Sequence, residues 1–227
     1  MAYILNIDTS AKNCSVALQK DEALVASYDI RIEKSASSLI NVYCDRIMAD
    51  AGISKQQLSA VAVGIGPGSY TGLRIAVSTA KGIAFGLDIP LISVDTLQAM
   101  AASQLPLAAA LQASICPMLD ARRMEVFTRL YDKDLEPLQP TRALLLDQDT
   151  FDTQLERSRI IFLGDGSSKL KTILAHSNAF FVPDVYPSAQ YMTTIAWRKF
   201  SASTFEDVAY LEPYYLKEFV SSAKTLS

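Results

Sequence analysis

Alternating and continuous apolar runs divide the first half of the chain into short strands and helices. The run at 3–8 predicts a buried strand, and strands at 14–19 and 23–32 follow, joined by a turn at 20–22. Strand and helix patterns then alternate, which gives the order β-β-β-α-β-α-β-α. The later elements are a helix at 35–51 with Ser35 as N-cap and Gly52 after its end, a strand at 61–63, a helix at 70–85 closed by Gly86, a strand at 91–94 and a helix from Asp95 to about residue 103.

A similar order begins again after Pro106. The two halves agree best at a strand–GxG–helix step, which is VGIG at 63–66 and LGDG at 163–166. The pattern predicts a duplicated α/β unit, with an N-terminal lobe at 1–103 and a C-terminal lobe at 104–227. The elements predicted in the second lobe are strands at 115–119, 124–131 and 141–146, a helix at 150–157, a strand at 160–163, a helix at 167–176, a strand at 180–182 and a helix at 188–201.

Composition narrows the class of protein. The 227 residues are 50% hydrophobic and carry a net charge of −3, which argues against a protein that binds nucleic acid mainly through phosphates. Three scattered cysteines favour a reducing compartment, and the single histidine, His176, disfavours a zinc site that needs two imidazoles. The N-terminal segment lacks the features of a signal peptide, and no apolar run reaches membrane-spanning length. We therefore expect a cytoplasmic protein with no metal site.

A glycine-rich loop, GIGPGSYTG at 64–72, lies between a predicted strand and a predicted helix. Its glycines allow close backbone approach, and the helix N-terminus favours an anion. One interpretation is a phosphate contact, and the other is a tight turn that lets the helix pack closely. The spacing does not match a P-loop. The candidate phosphate-contact residues in this loop are Gly66, Gly68, Ser69 and Thr71.

Two further turns contain groups that could carry chemistry. Asp8, Thr9 and Ser10 end the first strand, where they could hold a magnesium-bound water and a phosphate oxygen, or else fix a turn by hydrogen bonds. In the second half, the motif DARRME at 120–125 includes Asp120, and its Arg122 or Arg123 could bind an anion. A salt-bridged turn is the simpler interpretation of that motif.

The helices at 35–51 and 70–85 are more apolar than a single buried face requires. Apolar residues on the first helix spread over roughly 240° of the helical wheel, whereas one buried face needs only about 100°. Small residues on the second helix let another helix approach closely. Ordinary core packing and a subunit interface both explain these features. The candidate interface residues are Leu39, Ile40, Val42, Tyr43, Ile47, Arg74, Ser78 and Lys81.

Four segments together carry a family resemblance. These are ILNIDTS, GIGPGSYTGLRIAVSTAKGIAFGLDIPLISVDTLQAMA, DARRMEVF and LEPYYLKEF, in that order along the chain. They resemble the bacterial TsaB family (older name YeaZ) of tRNA threonylcarbamoyladenosine (t6A) biosynthesis. The resemblance implies an α/β fold of the actin/sugar-kinase/Hsp70 (ASKHA) type, with two RNase H-like lobes, the second of them reduced.

The resemblance also implies that this chain is a non-catalytic subunit, which contributes no catalytic residue. Members of the family activate the catalytic subunit TsaD, which transfers a threonylcarbamoyl group to N6 of adenosine 37 in tRNAs that read ANN codons. An ATPase subunit, TsaE, completes the assembly. The two apolar helices would form the contact with TsaD, and in family members the same surface also makes homodimers. No tightly bound cofactor is implied, ATP or ADP is expected only within the complex, and tRNA is expected to be contacted through a partner.

Two other functions remain open at this stage. An ATP-dependent small-molecule kinase or ATPase of the same superfamily would use Asp8 and the glycine loop, although the GDG at 164–166 is a poor second nucleotide-binding loop. A metallopeptidase is disfavoured by the single histidine.

Overall fold

A computed structural model describes residues 1–11, 13–31 and 36–217, apart from the side chains of residues 36 and 37. Ser35, the predicted N-cap of the first long helix, lies outside the described residues. The observed elements are β1 Tyr3–Asp8, β2 Cys14–Lys20, β3 Ala23–Ile30, α1 Ala36–Asp50, β4 Leu58–Gly66, α2 Tyr70–Leu87, β5 Leu91–Asp95, α3 Thr96–Ala102, α4 Leu105–Leu111, β6 Ala113–Asp120, β7 Glu125–Thr128, β8 Arg142–Leu145, α5 Asp152–Arg157, β9 Arg159–Leu163, α6 Ser167–Lys171, β10 Ala179–Val182 and α7 Thr193–Ser201, with 3-10 turns at Lys55–Gln57 and Ala189–Met192.

The first sheet has the strand order β3-β2-β1-β4-β5. β1 pairs antiparallel with β2 and parallel with β4, and β4 pairs parallel with β5. Because β1, β4 and β5 run in the same direction, their carboxyl ends meet at one edge of the sheet. This edge brings Asp8, Gly66 and Asp95 to neighbouring strand ends.

The second sheet repeats this topology. Its order is β10-β9-β6-β7-β8, so that β6 is the counterpart of β1 and β9 the counterpart of β4. β6 pairs antiparallel with β7 and parallel with β9, as β1 does with β2 and β4. The predicted duplication of a mixed α/β unit is therefore confirmed.

Helix ends follow the sequence signals in some places and depart from them in others. α1 ends in a Schellman motif, where Gly52 has φ 66 and the amides of Gly52 and Ile53 donate to the carbonyls of Ala49 and Met48. The prediction that Gly86 closes α2 is wrong, because the left-handed residue after this helix is Asp88, with φ 52. Ser69 caps the start of α2 by accepting from the amide of Gly72 at 3.3 Å.

Two predicted helices of the second half differ from the observed ones. The helix predicted at 167–176 is only α6, five residues long, and His176 lies in the turn that follows it. The helix predicted at 188–201 is a 3-10 turn followed by α7. The alanine-rich stretch after Gln104 forms α4, with Pro106 in its first turn, where a missing amide hydrogen leaves no helical bond unmade.

The last part of the chain returns to the first sheet. Met192 and Ile195 pack in one cluster with Ile4 and Ile92. The side chain of Asn13 donates to the carbonyl of Pro187 at 2.6 Å, which fixes the start of this return. Packing therefore runs across the predicted boundary after residue 103, and the division of the chain into domains at that residue stays a prediction.

No helix among the described residues combines the length and the apolar content needed to cross a bilayer.

Candidate functional site

The two sides of α1 face different environments. Ile40 and Ile47 are 1% and 0% exposed and belong to the core of the first lobe. They were predicted as interface residues, but their side chains pack in the chain's own core, so their contact with a partner stays a prediction. Val42, on another side of the helix, is 58% exposed. Leu39 is half-buried.

Tyr43 packs against β3. Its ring lies 5.4 Å from the ring of Tyr28, centroid to centroid, and the hydroxyl of Tyr28 hydrogen-bonds to Asp50 at the end of the helix. Arg46 pairs with the same carboxylate at 2.9 Å. Tyr43 is half-buried by this contact, so only part of its ring is left for a partner.

A shallow groove runs between α1 and α2. Two adjoining depressions of about 460 and 540 Å³ form it, and they share Asn41, Ser78 and Thr79. Small residues on α2 keep the groove open, and Phe85, near its end, is 83% exposed. Such a surface admits another helix at close range. The other lining residues are Ile40, Lys55, Tyr70, Thr71, Arg74, Ile75, Gly82, Ile83, Gly86 and Leu87.

Two of the three predicted interface residues on α2 bind the chain's own C-terminal segment. Arg74 lies over the ring of Tyr70, at 4.2 Å from its centroid, and its Nε donates to the hydroxyl of Tyr215 at 3.0 Å. Lys81 donates to the carbonyls of Ala209 and Leu211 at 2.9 and 3.2 Å. Both side chains fix residues 209–215 along α2, and their contact with a partner stays a prediction. Ser78 stays exposed in the groove.

The same C-terminal segment covers the glycine loop. The amide of Tyr214 donates to the carbonyl of Ile65 at 2.7 Å, and the ring of Tyr215 stacks on that of Tyr70 at 4.7 Å. Gly66 has φ 119, and a Cβ there would lie 2.7 Å from the carbonyl oxygen of Tyr214. Sequence reasoning identified LEPYYLKEF only as a motif, because nothing local in it indicates which surface it contacts.

The turn at Asp8, Thr9 and Ser10 is closed by the start of α2. The hydroxyl of Thr9 donates to the carbonyl of Gly72 at 2.6 Å, and the amide of Ser69 donates to the carbonyl of Ser10 at 2.6 Å. All three residues of the turn are buried. A phosphate cannot reach these groups unless the first turn of α2 moves away.

The glycines of the loop make this close contact possible. A Cβ on Gly64 would lie 2.1 Å from Oδ2 of Asp8, and one on Gly72 would lie 1.9 Å from the carbonyl oxygen of Thr9. A Cβ on Gly68 would lie 2.3 Å from the carbonyl oxygen of Ser10. This geometry favours the tight-turn interpretation of the loop. Phosphate contact through Gly66, Gly68, Ser69 and Thr71 stays a prediction that no contact supports.

Asp8 is an acid held inside the protein. Burial raises its pKa to about 6, against which hydrogen bonds from the amide and hydroxyl of Ser10, at 3.0 and 2.8 Å, act in the opposite direction. Within the part of the chain that the structure describes, no group of three or more histidine, cysteine, aspartate or glutamate side chains is arranged to hold a metal ion.

The turn at 120–123 is salt-bridged, but not by its arginines. Oδ1 of Asp120 accepts from the amide of Arg122 at 2.6 Å and from Nζ of Lys169 at 2.8 Å. Glu125 pairs with Lys217 of the C-terminal segment. Arg122 and Arg123 are exposed, and neither guanidinium pairs with another described residue. Lysines from distant parts of the chain therefore neutralise the acids of this motif.

A partly buried contact that the sequence did not indicate joins the two halves of the chain. Tyr131, from the second half, donates to Asp95 at the end of β5 over 3.3 Å, and Arg129 lies 3.9 Å from the same carboxylate. Asp95 also caps α3 by accepting from the amide of Gln98 at 2.9 Å. Burial raises the pKa of Asp95 despite these partners. Its capping role was predictable, but its contact with the other half was not.

Comparisons with known sequences match this chain to proteins named for the threonylcarbamoyl modification of tRNA. A family model described as "TsaD: tRNA N6-adenosine threonylcarbamoyltransferase" matches residues 31–218. The tRNA threonylcarbamoyladenosine biosynthesis protein TsaB of Bacillus subtilis (strain 168) is 34% identical over 175 residues, which is 75% of this chain and 74% of that protein. The TsaB protein of Escherichia coli (strain K12) is 29% identical over 228 residues, 97% of each chain.

Comparisons with solved structures establish the fold. YeaZ from Pseudomonas aeruginosa has a TM-score of 0.84 at 23% identity, covering 95% of this chain and 100% of that one. An inorganic polyphosphate/ATP-glucomannokinase from Arthrobacter sp. strain KM has a TM-score of 0.51 at 10% identity, covering 89% of this chain and 100% of the kinase chain. The predicted ASKHA-type α/β fold is therefore confirmed.

Proposed function

The chain belongs to the TsaB (YeaZ) family, and from that premise we propose that it acts in t6A biosynthesis as the subunit that docks on and activates the catalytic transferase TsaD. TsaD transfers the threonylcarbamoyl group to N6 of adenosine 37 in tRNAs that read ANN codons. In this proposal the chain contributes a surface to the complex and no catalytic group.

The observation that carries the proposal is the open groove between α1 and α2. Val42 and Phe85 are largely exposed on the two helices that border the groove, and the α2 side of the groove carries small residues. Exposed apolar side chains next to a helix-sized groove are typical of a protein interface. The C-terminal segment reaches one border of this groove at Arg74 and holds Lys81 beside it, and the rest of the groove is left open by the described chain.

The family model that matches the chain suggests which surface of the partner would dock. That model describes the transferase itself and matches residues 31–218, which include α1 and α2. A transferase of this family would therefore carry an equivalent pair of helices. Two such pairs can meet in an approximately twofold arrangement, as equivalent surfaces do in isologous contacts.

The closed turn at Asp8 supports a non-catalytic role. The hydroxyl of Thr9 and the carbonyl of Ser10 are bonded to the start of α2, so the position where a superfamily kinase would be expected to act is filled by the chain's own atoms. A kinase or ATPase, the second candidate, would have to open this contact. Calorimetry with magnesium and ATP separates the two, because a kinase predicts micromolar binding by the isolated chain.

We further propose that a second copy of the chain competes with the transferase for the groove, and that an ATPase of the TsaE type joins the complex elsewhere. ATP or ADP would bind only in the assembled complex. We place the protein in the cytoplasm, where its tRNA substrates are modified.

The first test replaces Ser78, which lines the groove, and the exposed Val42 of α1, and follows the complex. The double variant V42E/S78R places a buried charge and a long side chain in the proposed contact, and we expect it to lose co-purification with the transferase and most of the stimulation of transfer. The matched control is L145E, on the edge strand β8, because Leu145 is 69% exposed and lies outside the groove. Full co-purification by V42E/S78R with an unchanged melting temperature would contradict the proposed surface.

A further inference from the structure

The hairpin tip between β6 and β7 carries two arginines on a backbone that favours glycine. Arg122 has φ 73 and Arg123 has φ 47, so two consecutive residues with long side chains occupy the left-handed region. This conformation is unfavourable for residues with a Cβ, and strained positions of this kind concentrate at functional sites. The tip therefore holds arginine where the fold alone would prefer glycine or asparagine.

The internal duplication shows how unusual this tip is. Asp120 ends β6 as Asp8 ends β1, and each carboxylate accepts the amide of the residue two positions later. The turn after Asp8 is buried beneath α2, whereas Arg122 and Arg123 are exposed. The same topological position is thus closed in the first lobe and open in the second.

Two of the three acids around the tip pair with lysines. Asp120 accepts from Lys169, and Glu125 pairs with Lys217. Asp165 accepts the amide of Asp120 at 2.9 Å. Neither guanidinium pairs with a described residue, so within the described chain the tip offers two cationic side chains to an anion, on a protein whose net charge is −3.

We propose that Arg122 and Arg123 bind phosphate groups of the RNA backbone, and that through them this chain holds the tRNA substrate directly. This inference rests on the proposed function, which supplies an RNA substrate. Arginine forks match the geometry of phosphate oxygens, and phosphate contacts position a nucleic acid without reading its sequence. One pair of arginines provides a limited contact, which agrees with the acidic composition.

The location of the arginines favours RNA over a nucleotide or an acidic protein. A nucleotide needs a concave pocket, and the two depressions described above lie between α1 and α2, in the other lobe. A protein interface needs an apolar centre, and the neighbouring Met124 is the only large apolar side chain of the turn at 121–124. A protruding pair of cations suits a phosphate backbone.

The test uses the complex of this chain with the transferase. The variant R122Q/R123Q should raise the KM for tRNA by about tenfold at low salt, with kcat and co-purification unchanged, and should reduce the slope of log affinity against log salt by about one to two. The matched control R157Q/R198Q removes two exposed arginines from α5 and α7 and should leave the KM and the slope unchanged.

Each other outcome decides against the inference. An unchanged KM and salt slope in R122Q/R123Q would overturn it and leave the proposed function intact. Loss of co-purification would show that the tip binds protein, and a KM effect that follows ATP instead of tRNA would show that it binds a nucleotide.

A second measurement tests RNA binding by the arginines even if the proposed function is wrong. If the unmodified chain does not stimulate transfer, anisotropy of labelled tRNA with the full chain alone still decides. We expect weak, salt-sensitive binding that R122Q/R123Q loses and R157Q/R198Q keeps. Equal binding by both variants would overturn the inference.

Discussion

At the scale of single residues, buried Asp8 makes the stability of the folded chain depend on pH. Its pKa is about 6 in the folded chain, against a usual value of 3.8. Between these two values the folded protein holds a proton that the unfolded chain has released, so the contribution of Asp8 to stability falls as the pH rises. Above pH 6 the buried carboxylate is ionised and its full unfavourable effect is present.

Replacing Asp8 by asparagine should remove this dependence. D8N keeps an oxygen that can accept a hydrogen bond from Ser10. Its stability relative to the parent chain should rise by roughly 3 kcal/mol at most between pH 4 and 6, and should stay level above pH 6. Urea unfolding of both proteins from pH 4.5 to 7.5 measures the difference. A difference that is constant with pH would contradict the burial of an ionisable Asp8.

Two glycines of α2 provide a matched test of the closed turn. G72A places a methyl group against the carbonyl of Thr9 and should destabilise the fold by about 1–3 kcal/mol. G82A meets no atom within 4 Å and should stabilise the same helix by about 0.5–1 kcal/mol. Denaturant unfolding compares the two, and equal effects would show that the turn and α2 are not in contact.

The sequence indicated these residues but not their contact. The pattern placed Asp8 at a strand end and the glycine loop before a helix, and both positions were right. Their contact depends on the parallel pairing of β1 with β4, in which Ile7 is in register with Val63. Register between distant segments is a tertiary property that local patterns do not fix.

At the scale of elements, α1 and α2 show why an apolar helix cannot be assigned from its sequence alone. The wide apolar arc of α1 serves three environments, since Ile47 faces the core, Tyr43 faces β3 and Val42 faces solvent. The excess of apolar surface was predicted, but which residues are exposed was not. That assignment requires knowing that β3 lies beside the helix.

The C-terminal segment is the element that local patterns missed most completely. Lys81 holds it by two hydrogen bonds to carbonyls, and the amide of Tyr214 is bonded to Ile65. The variant K81M keeps the aliphatic stem and removes the donor, so hydrogen exchange at residues 209–215 should become about five- to tenfold faster, as expected for a loss of roughly 1 kcal/mol.

Exposed Lys171 provides the control for this measurement, since K171M changes the same charge at the end of α6. Exchange in α3 should be equal in both variants. If K81M leaves the exchange of Tyr214 unchanged, the segment is held by its tyrosines and not by Lys81.

At the scale of the whole molecule, the repeated strand order could be predicted and the contacts between the halves could not. Successive strand and helix patterns predict the strands of both sheets, because each sheet is built from neighbouring segments of the chain. The contact of Tyr131 with Asp95 and the return of α7 to the first sheet join residues far apart in the sequence. These long-range contacts pack the half that carries the α1–α2 groove against the half that carries Arg122 and Arg123.

The measurement that tests the central claim most directly is the rate of threonylcarbamoyl transfer to tRNA by the transferase, with and without this chain. Docking through the groove predicts no transfer by the chain alone, a marked rise in rate when it is added to the transferase, and no rise with V42E/S78R. Transfer by the isolated chain, or full stimulation by a folded V42E/S78R, would contradict the account.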